Sequence, residues 1–254
     1  MKNPNLGRFT WHELMTTDVA AAVPFYTALF GWRPQEMDMG PEGKYTMLFQ
    51  GEIPVGGAAT AQPGMPSAWL SYVEPTSTDE AVEKVVELGG KVLVPPTDVP
   101  GMVRFAIAMD PQGAAFGVVT DISGQPPQGP SDGPPVLGTF CWEELHTSDQ
   151  GAAGKFYGAV FGWTGKVGED AMKYWHWQSA GKDIGGMMDL MMPNVPPHWL
   201  PYIAASDVDA STAKVKELGG KVLMDTMDIE KVGKFSVVQD PTGAAFALFR
   251  SARV

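Results

Sequence analysis

Apolar positions along this chain alternate between two periods. Phe9-Thr10-Trp11-His12-Glu13-Leu14-Met15 is short and rich in aromatic residues, which predicts a strand. Thr17-Asp18 then supplies a helix-capping signal, and Ala20, Ala21, Ala22, Phe25, Tyr26, Leu29 and Phe30 follow at helical spacing up to Gly31. Pro24 falls inside this helix and predicts a kink or a delayed start. Tyr45–Phe49 and Ile53–Ala58 read as strands of an antiparallel meander. Ala68–Val73 reads as a strand, Ser77–Leu88 as a helix ending at Gly89-Gly90, and Lys91–Val94, Val103–Met109 and Ala115–Val119 as three more strands. A β-α-plus-strands unit is thus used twice in the first half.

The whole pattern then recurs. Trp11-His12-Glu13-Leu14 becomes Trp142-Glu143-Glu144-Leu145, Phe25-Tyr26 becomes Phe156-Tyr157, and Phe30-Gly31-Trp32 becomes Phe161-Gly162-Trp163. Val55-Gly56-Gly57 pairs with Ile184-Gly185-Gly186, and Asp110-Pro111-Gln112-Gly113 with Asp240-Pro241-Thr242-Gly243. The second half predicts elements at His198–Ile203, Ala210–Leu218, Lys221–Met224, Lys234–Gln239 and Ala245–Phe249. A period of half the chain means a duplicated domain and not a solenoid. Residues 123–136, rich in Pro and Gly, read as an extended linker, which places the domains at 1–122 and 137–254.

Composition changes the picture only at its edges. A hydrophobic share of 44% with 19% charged residues is that of a globular chain. The net charge of −11 argues against nucleic acid and anionic membrane surfaces as partners. A single cysteine, Cys141, excludes an internal disulfide, is expected to be a buried small hydrophobe, and fits a cytoplasmic protein. No long apolar run predicts a membrane span.

Four β-α-strand units in two pairs, with Asp18, Phe25-Tyr26 and Phe30-Gly31-Trp32 repeated at Asp149, Phe156-Tyr157 and Phe161-Gly162-Trp163, resemble the vicinal oxygen chelate superfamily. That superfamily includes glyoxalase I, bleomycin-resistance proteins and extradiol dioxygenases. The resemblance implies an α+β fold of two tandem domains, each a pair of βαβββ units forming a curved-sheet cup. It also implies a divalent metal held by His, Gln or Glu. The positions it points to are Trp11 and Trp142, Trp69-Leu70 and Trp199-Leu200, and Gly117 and Ala247. None of these side chains can ligate. No cofactor is therefore expected, with a divalent metal as the alternative, carried by Glu144, His176 and His198 as a two-His-one-carboxylate set.

Strand alternation places Trp11 with Glu13, and Trp142 with Glu144, on one face, which the resemblance makes the cup interior. Glu13 and Glu144 are accordingly the candidate catalytic residues, as general bases or polar anchors. Trp11, Trp142, Trp69, Trp199, Tyr72, Tyr202 and His176 are the candidate ligand-binding residues, because aromatic walls with a few polar groups build small-molecule sites. The alternatives weigh on the same residues: a carboxylate that only fixes packing, and aromatics that only fill the core. His12, His146, His176 and His198 align with Glu143, Met15, Met47 and Ala68, so no histidine is duplicated. Glycine pairs such as Gly56-Gly57 are expected at tight turns or close approaches between strands. Arg104, Lys231 and Lys234 are expected as solvated charges. The expected function is binding of a small molecule by a monomer or homodimer lacking the family's metal site. The alternative is an enzyme of the same superfamily, a glyoxalase-like lyase or isomerase or a dioxygenase, using Glu13 or Glu144 as base or ligand.

Overall fold

The computed structural model of the protein describes residues 3–39, 43–126, 133–168, 174–192 and 194–252. Four βαβββ units follow one another. The first is β1 (Phe9–Thr16), α1 (Val19–Phe30), β2 (Arg33–Asp38), β3 (Lys44–Gln50) and β4 (Ile53–Thr60). The second is β5 (Ala68–Val73), α2 (Thr78–Glu87), β6 (Lys91–Val99), β7 (Val103–Met109) and β8 (Ala115–Asp121). The third is β9 (Phe140–Thr147), α3 (Gln150–Phe161), β10 (Thr164–Val167), β11 (Trp175–Ser179) and β12 (Lys182–Asp189). The fourth is β13 (His198–Ala204), α4 (Val208–Glu217), β14 (Lys221–Ile229), β15 (Gly233–Gln239) and β16 (Ala245–Ser251). The architecture is α+β, with β1–β8 in one eight-stranded sheet and β9–β16 in another.

Local chemistry accounts for the helix limits. Asp18 and Asp149 each accept the backbone N–H three residues on, and Gly31 and Gly162 close α1 and α3 with positive φ. Pro24 does not delay α1, which starts at the position matching the start of α3. Pro24 is the sixth residue of α1, past the first turn, so it removes an interior helical N–H donor without moving the helix start. β2 carries the sequence Arg-Pro-Gln-Glu-Met-Asp, mostly exposed, so no apolar alternation betrayed it. Of the expected linker, residues 127–132 lie outside the described residues.

By contacts the chain forms two compact units that do not coincide with the sequence repeats. One holds the described residues of Met1–Trp11, Leu70–Pro130 and Trp142–Trp199; the other those of His12–Trp69, Ser131–Cys141 and Leu200–Val254. The first unit contains, to within strand ends, β5-β8-β7-β6 with α2 and β10-β11-β12-β9 with α3. Its core joins Ala81, Val85 and Phe116 to Leu145, Phe156, Tyr157 and Trp163. The second contains β2-β3-β4-β1 with α1 and β13-β16-β15-β14 with α4, around Leu14, Tyr26, Trp32, Ile203, Val215 and Phe246.

The duplicated motifs explain why each unit draws on both repeats. Tyr157 on α3 donates to Asp110 Oδ2 at 3.0 Å and accepts the Trp199 indole N–H at 2.9 Å. Asp110 Oδ1 receives the backbone N–H groups of Gln112, Gly113 and Ala114, and Gly113 has φ +110. That is the work of the Asp-Pro-x-Gly turn. In the other unit Tyr26 donates to Asp240 at 3.1 Å and accepts from Trp69 at 2.8 Å. Trp32 and Trp163 bury completely or nearly so and donate to the Gly138 and Gly7 carbonyls. The Tyr, Trp and Asp groups of these two chains satisfy one another inside the cores, as burial of polar atoms favours, whereas the buried Trp177 indole N–H of the first unit has no hydrogen-bond partner among the described residues.

Candidate functional site

β9 sorts its side chains by period two. Leu145 joins the core with Phe156 and Tyr157 of α3, while Trp142, Glu144 and His146 lie on the opposite face. β12 runs parallel to β9 and places Gly186 across from Glu144; β11 runs antiparallel and places His176 across from Gly186. Gly186 lies mid-strand, not in a turn. A Cβ there would overlap the Tyr174 hydroxyl, so the glycine gives that phenol room to cross the sheet face.

A continuous hydrogen-bonded chain results. Trp142 Nε1 donates to Tyr174 Oη at 2.9 Å, and Tyr174 donates to Glu144 Oε2 at 2.8 Å. Glu144 Oε1 lies 2.8 Å from His146 Nε2. An ionised carboxylate only accepts, so His146 presents Nε2–H to it. The His146 ring stacks on His198 with centroids 4.8 Å apart and planes 14° from parallel. His198 donates Nδ1–H to the Pro196 carbonyl at 2.9 Å. His176 meets Tyr174 edge-on at 5.1 Å and Trp142 at 6.3 Å. Glu144 is 6% exposed, and the five surrounding side chains are half-buried.

The electrostatics follow from burial. Desolvation drives the Tyr174 phenol far above its ordinary range; the Glu144 charge adds to this and the Trp142 hydrogen bond opposes it. Tyr174 therefore remains a protonated donor. Burial also holds His198 below the ordinary imidazole value, with Pro196 and Glu144 opposing and His146 adding. Trp142, Glu144 and His176 of the sequence candidates thus meet in one cluster. His146, which the sequence showed only as a histidine not repeated in the first half, belongs to it too. Its position two residues after Glu144 was the available signal. Tyr174 was visible only as an aromatic matching Tyr45.

The remaining candidates lie elsewhere. In the first repeat Glu13 faces Gly57, over which the Tyr45 hydroxyl sits, but Met15, Met47 and Ala68 stand where the second repeat has its histidines. Trp11 packs with Leu70, Tyr72 and Val119. Tyr72 lies over Gly117, where a Cβ would overlap its ring. Trp69 and Trp199 are core residues whose N–H groups serve Tyr26 and Tyr157. Tyr202 packs on Phe235 and Phe249. Cys141 is half-buried, with its thiol 3.4 Å from the Tyr202 carbonyl. Arg104 and Lys234 are tied up in ion pairs, with Asp79 and Asp98 and with Asp209. Lys234 and Asp209 also line a shallow surface cavity of about 330 Å³ with Asp207, Asp228 and Arg250. Among the described residues no three His, Cys, Asp or Glu side chains are grouped to hold a metal ion, and no helix is long and apolar enough to cross a membrane.

Known proteins place this geometry in context. Residues 142–249 match the family described as glyoxalase-like domain, and residues 8–51 match the bleomycin resistance protein-like N-terminal family. A Mycobacterium tuberculosis protein named as a candidate glyoxylase, CFP32, is 36% identical over 97% of this chain and 95% of its own length. The anthracycline biosynthesis protein DnrV of Streptomyces peucetius is 32% identical over 95% and 92%. Among solved structures, the Mn(II)-bound glyoxalase from Novosphingobium aromaticivorans superposes with a TM-score of 0.63 at 18% identity, covering 98% of this chain and 83% of that one. The 2,3-dioxygenase LapB from Pseudomonas sp. KL28 gives 0.61 at 12% identity, covering 96% and 93%. These two likenesses are of fold.

Proposed function

Because the chain belongs to the superfamily of glyoxalases, bleomycin-resistance proteins and extradiol dioxygenases, we propose that it binds a small planar molecule bearing hydroxyl groups on the Glu144 face of β9–β12, without the superfamily's metal. The observation that carries this reading is one contiguous cluster in which Tyr174 and His146 bond the buried Glu144 carboxylate and Trp142, His176 and His198 pack on those two side chains. Half-buried aromatic rings offer a stacking wall, and the carboxylate and imidazoles accept hydrogen bonds from ligand hydroxyls. A hydroxylated aromatic also agrees with the relative named for anthracycline biosynthesis.

The residues do not fit the metal that the fold family implies. Trp142 and Trp11 offer no lone pair, Trp69 and Trp199 are committed to tyrosine hydroxyls, and the space a side chain at Gly117 needs is filled by Tyr72. Accordingly no step of the proposal runs through a metal.

Calorimetric titration of 1,2-dihydroxyanthraquinone into the wild type and Glu144→Gln tests the reading. Loss of a charged acceptor is expected to weaken binding about 10- to 100-fold. Equal affinities would overturn Glu144 as a binding anchor. The second reading, an enzyme of the same superfamily, draws on one observation, the imidazole hydrogen-bonded to Glu144. A Glu144→Gln variant that kept its affinity and lost turnover would select it.

A further inference from the structure

We infer that His146, and not Glu144, is the group that takes a proton from the bound ligand, with Glu144 as its positioning residue and an acidic aromatic hydroxyl as the proton's source. This rests on the ligand site proposed around Glu144. Both carboxylate oxygens are already engaged, Oε1 by His146 and Oε2 by Tyr174, and Tyr174 is fixed in turn by Trp142. The carboxylate is therefore held in place by its neighbours. His146 spends Nε2–H on Glu144, which leaves Nδ1 as the nitrogen carrying the lone pair. A carboxylate that orients an imidazole and stabilises its protonated form is a recurrent arrangement for proton transfer.

The surroundings suit that role. The His146 side chain is 13% exposed against 8% for Glu144, so the imidazole is the more accessible of the two. His198, stacked on it, donates to Pro196, and burial disfavours its charged form, which limits like-charge repulsion against a protonated His146. The first repeat retains Glu13, Tyr45 and Gly57 but has Met15 in place of the imidazole. Only the second repeat therefore has the base.

The step is a simple transfer. The ligand O–H bond breaks with its electron pair left on oxygen, the proton goes to His146 Nδ1, and the resulting imidazolium is paired with the Glu144 carboxylate. No oxidant or further reactant is needed.

4-Nitrophenol is a suitable probe, since its phenolate absorbs where the phenol does not. On the wild type the bound probe is expected to ionise at a pH about one unit below its value in free solution. His146→Gln, at a concentration set from its own calorimetric affinity, is expected to hold the probe neutral. Ionisation that persists in His146→Gln, or a wild-type complex that stays neutral, would overturn the inference. Nitrogen-15 side-chain spectra of the free wild type give a readout independent of any ligand. At a pH where His146 carries a single proton, that proton is expected on Nε2, and one on Nδ1 would overturn the inference. Failure of the probe to bind would count against the ligand site, and the spectra would still decide the assignment of the base.

Discussion

Tyr174 reaches Glu144 only because residue 186 has no side chain: the hydroxyl occupies the space of a Cβ on Gly186, directly across the sheet from the carboxylate. The first repeat keeps the same relation between Tyr45 and Gly57. Gly186→Ala should push Tyr174 off Glu144 and cost about 1–3 kcal/mol of stability, as overpacking does. Urea unfolding measures the cost, and binding of the dihydroxyanthraquinone should weaken in parallel. An alanine tolerated without loss of either would show that the phenol is not held there.

The Trp–Tyr–Asp chains in the two cores should be energetically equivalent. Tyr157→Phe leaves the Trp199 N–H and one Asp110 oxygen without this partner, and Tyr26→Phe does the same to Trp69 and Asp240. Each variant is expected to lose about 1–3 kcal/mol per orphaned group. Chemical denaturation of the two variants checks this; a loss in only one would show that the repeats are not interlocked alike.

How far these relations were legible in the sequence depends on their range. Period-two alternation put Trp142 and Glu144 on one face, and capping chemistry at Asp18 and Asp149 placed both helices. The double occurrence of Phe-Tyr and Asp-Pro-x-Gly marked the scaffold. What those motifs touch was not legible, because Tyr157 and Asp110 meet over 47 residues of intervening chain and no local pattern encodes a pairing between repeats. Trp69 and Trp199 looked like ligand walls for the same reason: only the fold reveals the tyrosine hydroxyls that use their N–H groups. His146, His176 and His198 lie on three different strands, and Met15, Met47 and Ala68 at the matching positions of the first repeat made them look incidental.

Acid should act through His198. Burial depresses its folded-state pKa below the unfolded value of about 6.5, so its contribution to stability is complete above that value and is lost as pH falls through the folded one. Asp110 and Glu74 run the other way: burial raises them, and their contribution declines as pH rises through their folded values. Thermal midpoints of the wild type and His198→Asn across this range separate the two. The wild type should fall more steeply below about pH 6.5. Parallel curves would remove His198 from the account.

The asymmetry of the repeats predicts a stoichiometry. With Met15, Met47 and Ala68 at the histidine positions, the first repeat lacks the imidazoles that surround Glu144. Calorimetry should therefore give one dihydroxyanthraquinone per chain. Two equivalent sites would mean that the Trp-x-Glu pair suffices without histidines.

The central claim is that the Glu144 cluster binds its ligand without a metal, and the most direct test is the binding isotherm of the dihydroxyanthraquinone before and after exhaustive dialysis against a chelator. The two isotherms are predicted to superimpose. Binding lost on chelation and restored by Mn(II), Fe(II), Zn(II) or Ni(II) would contradict the claim.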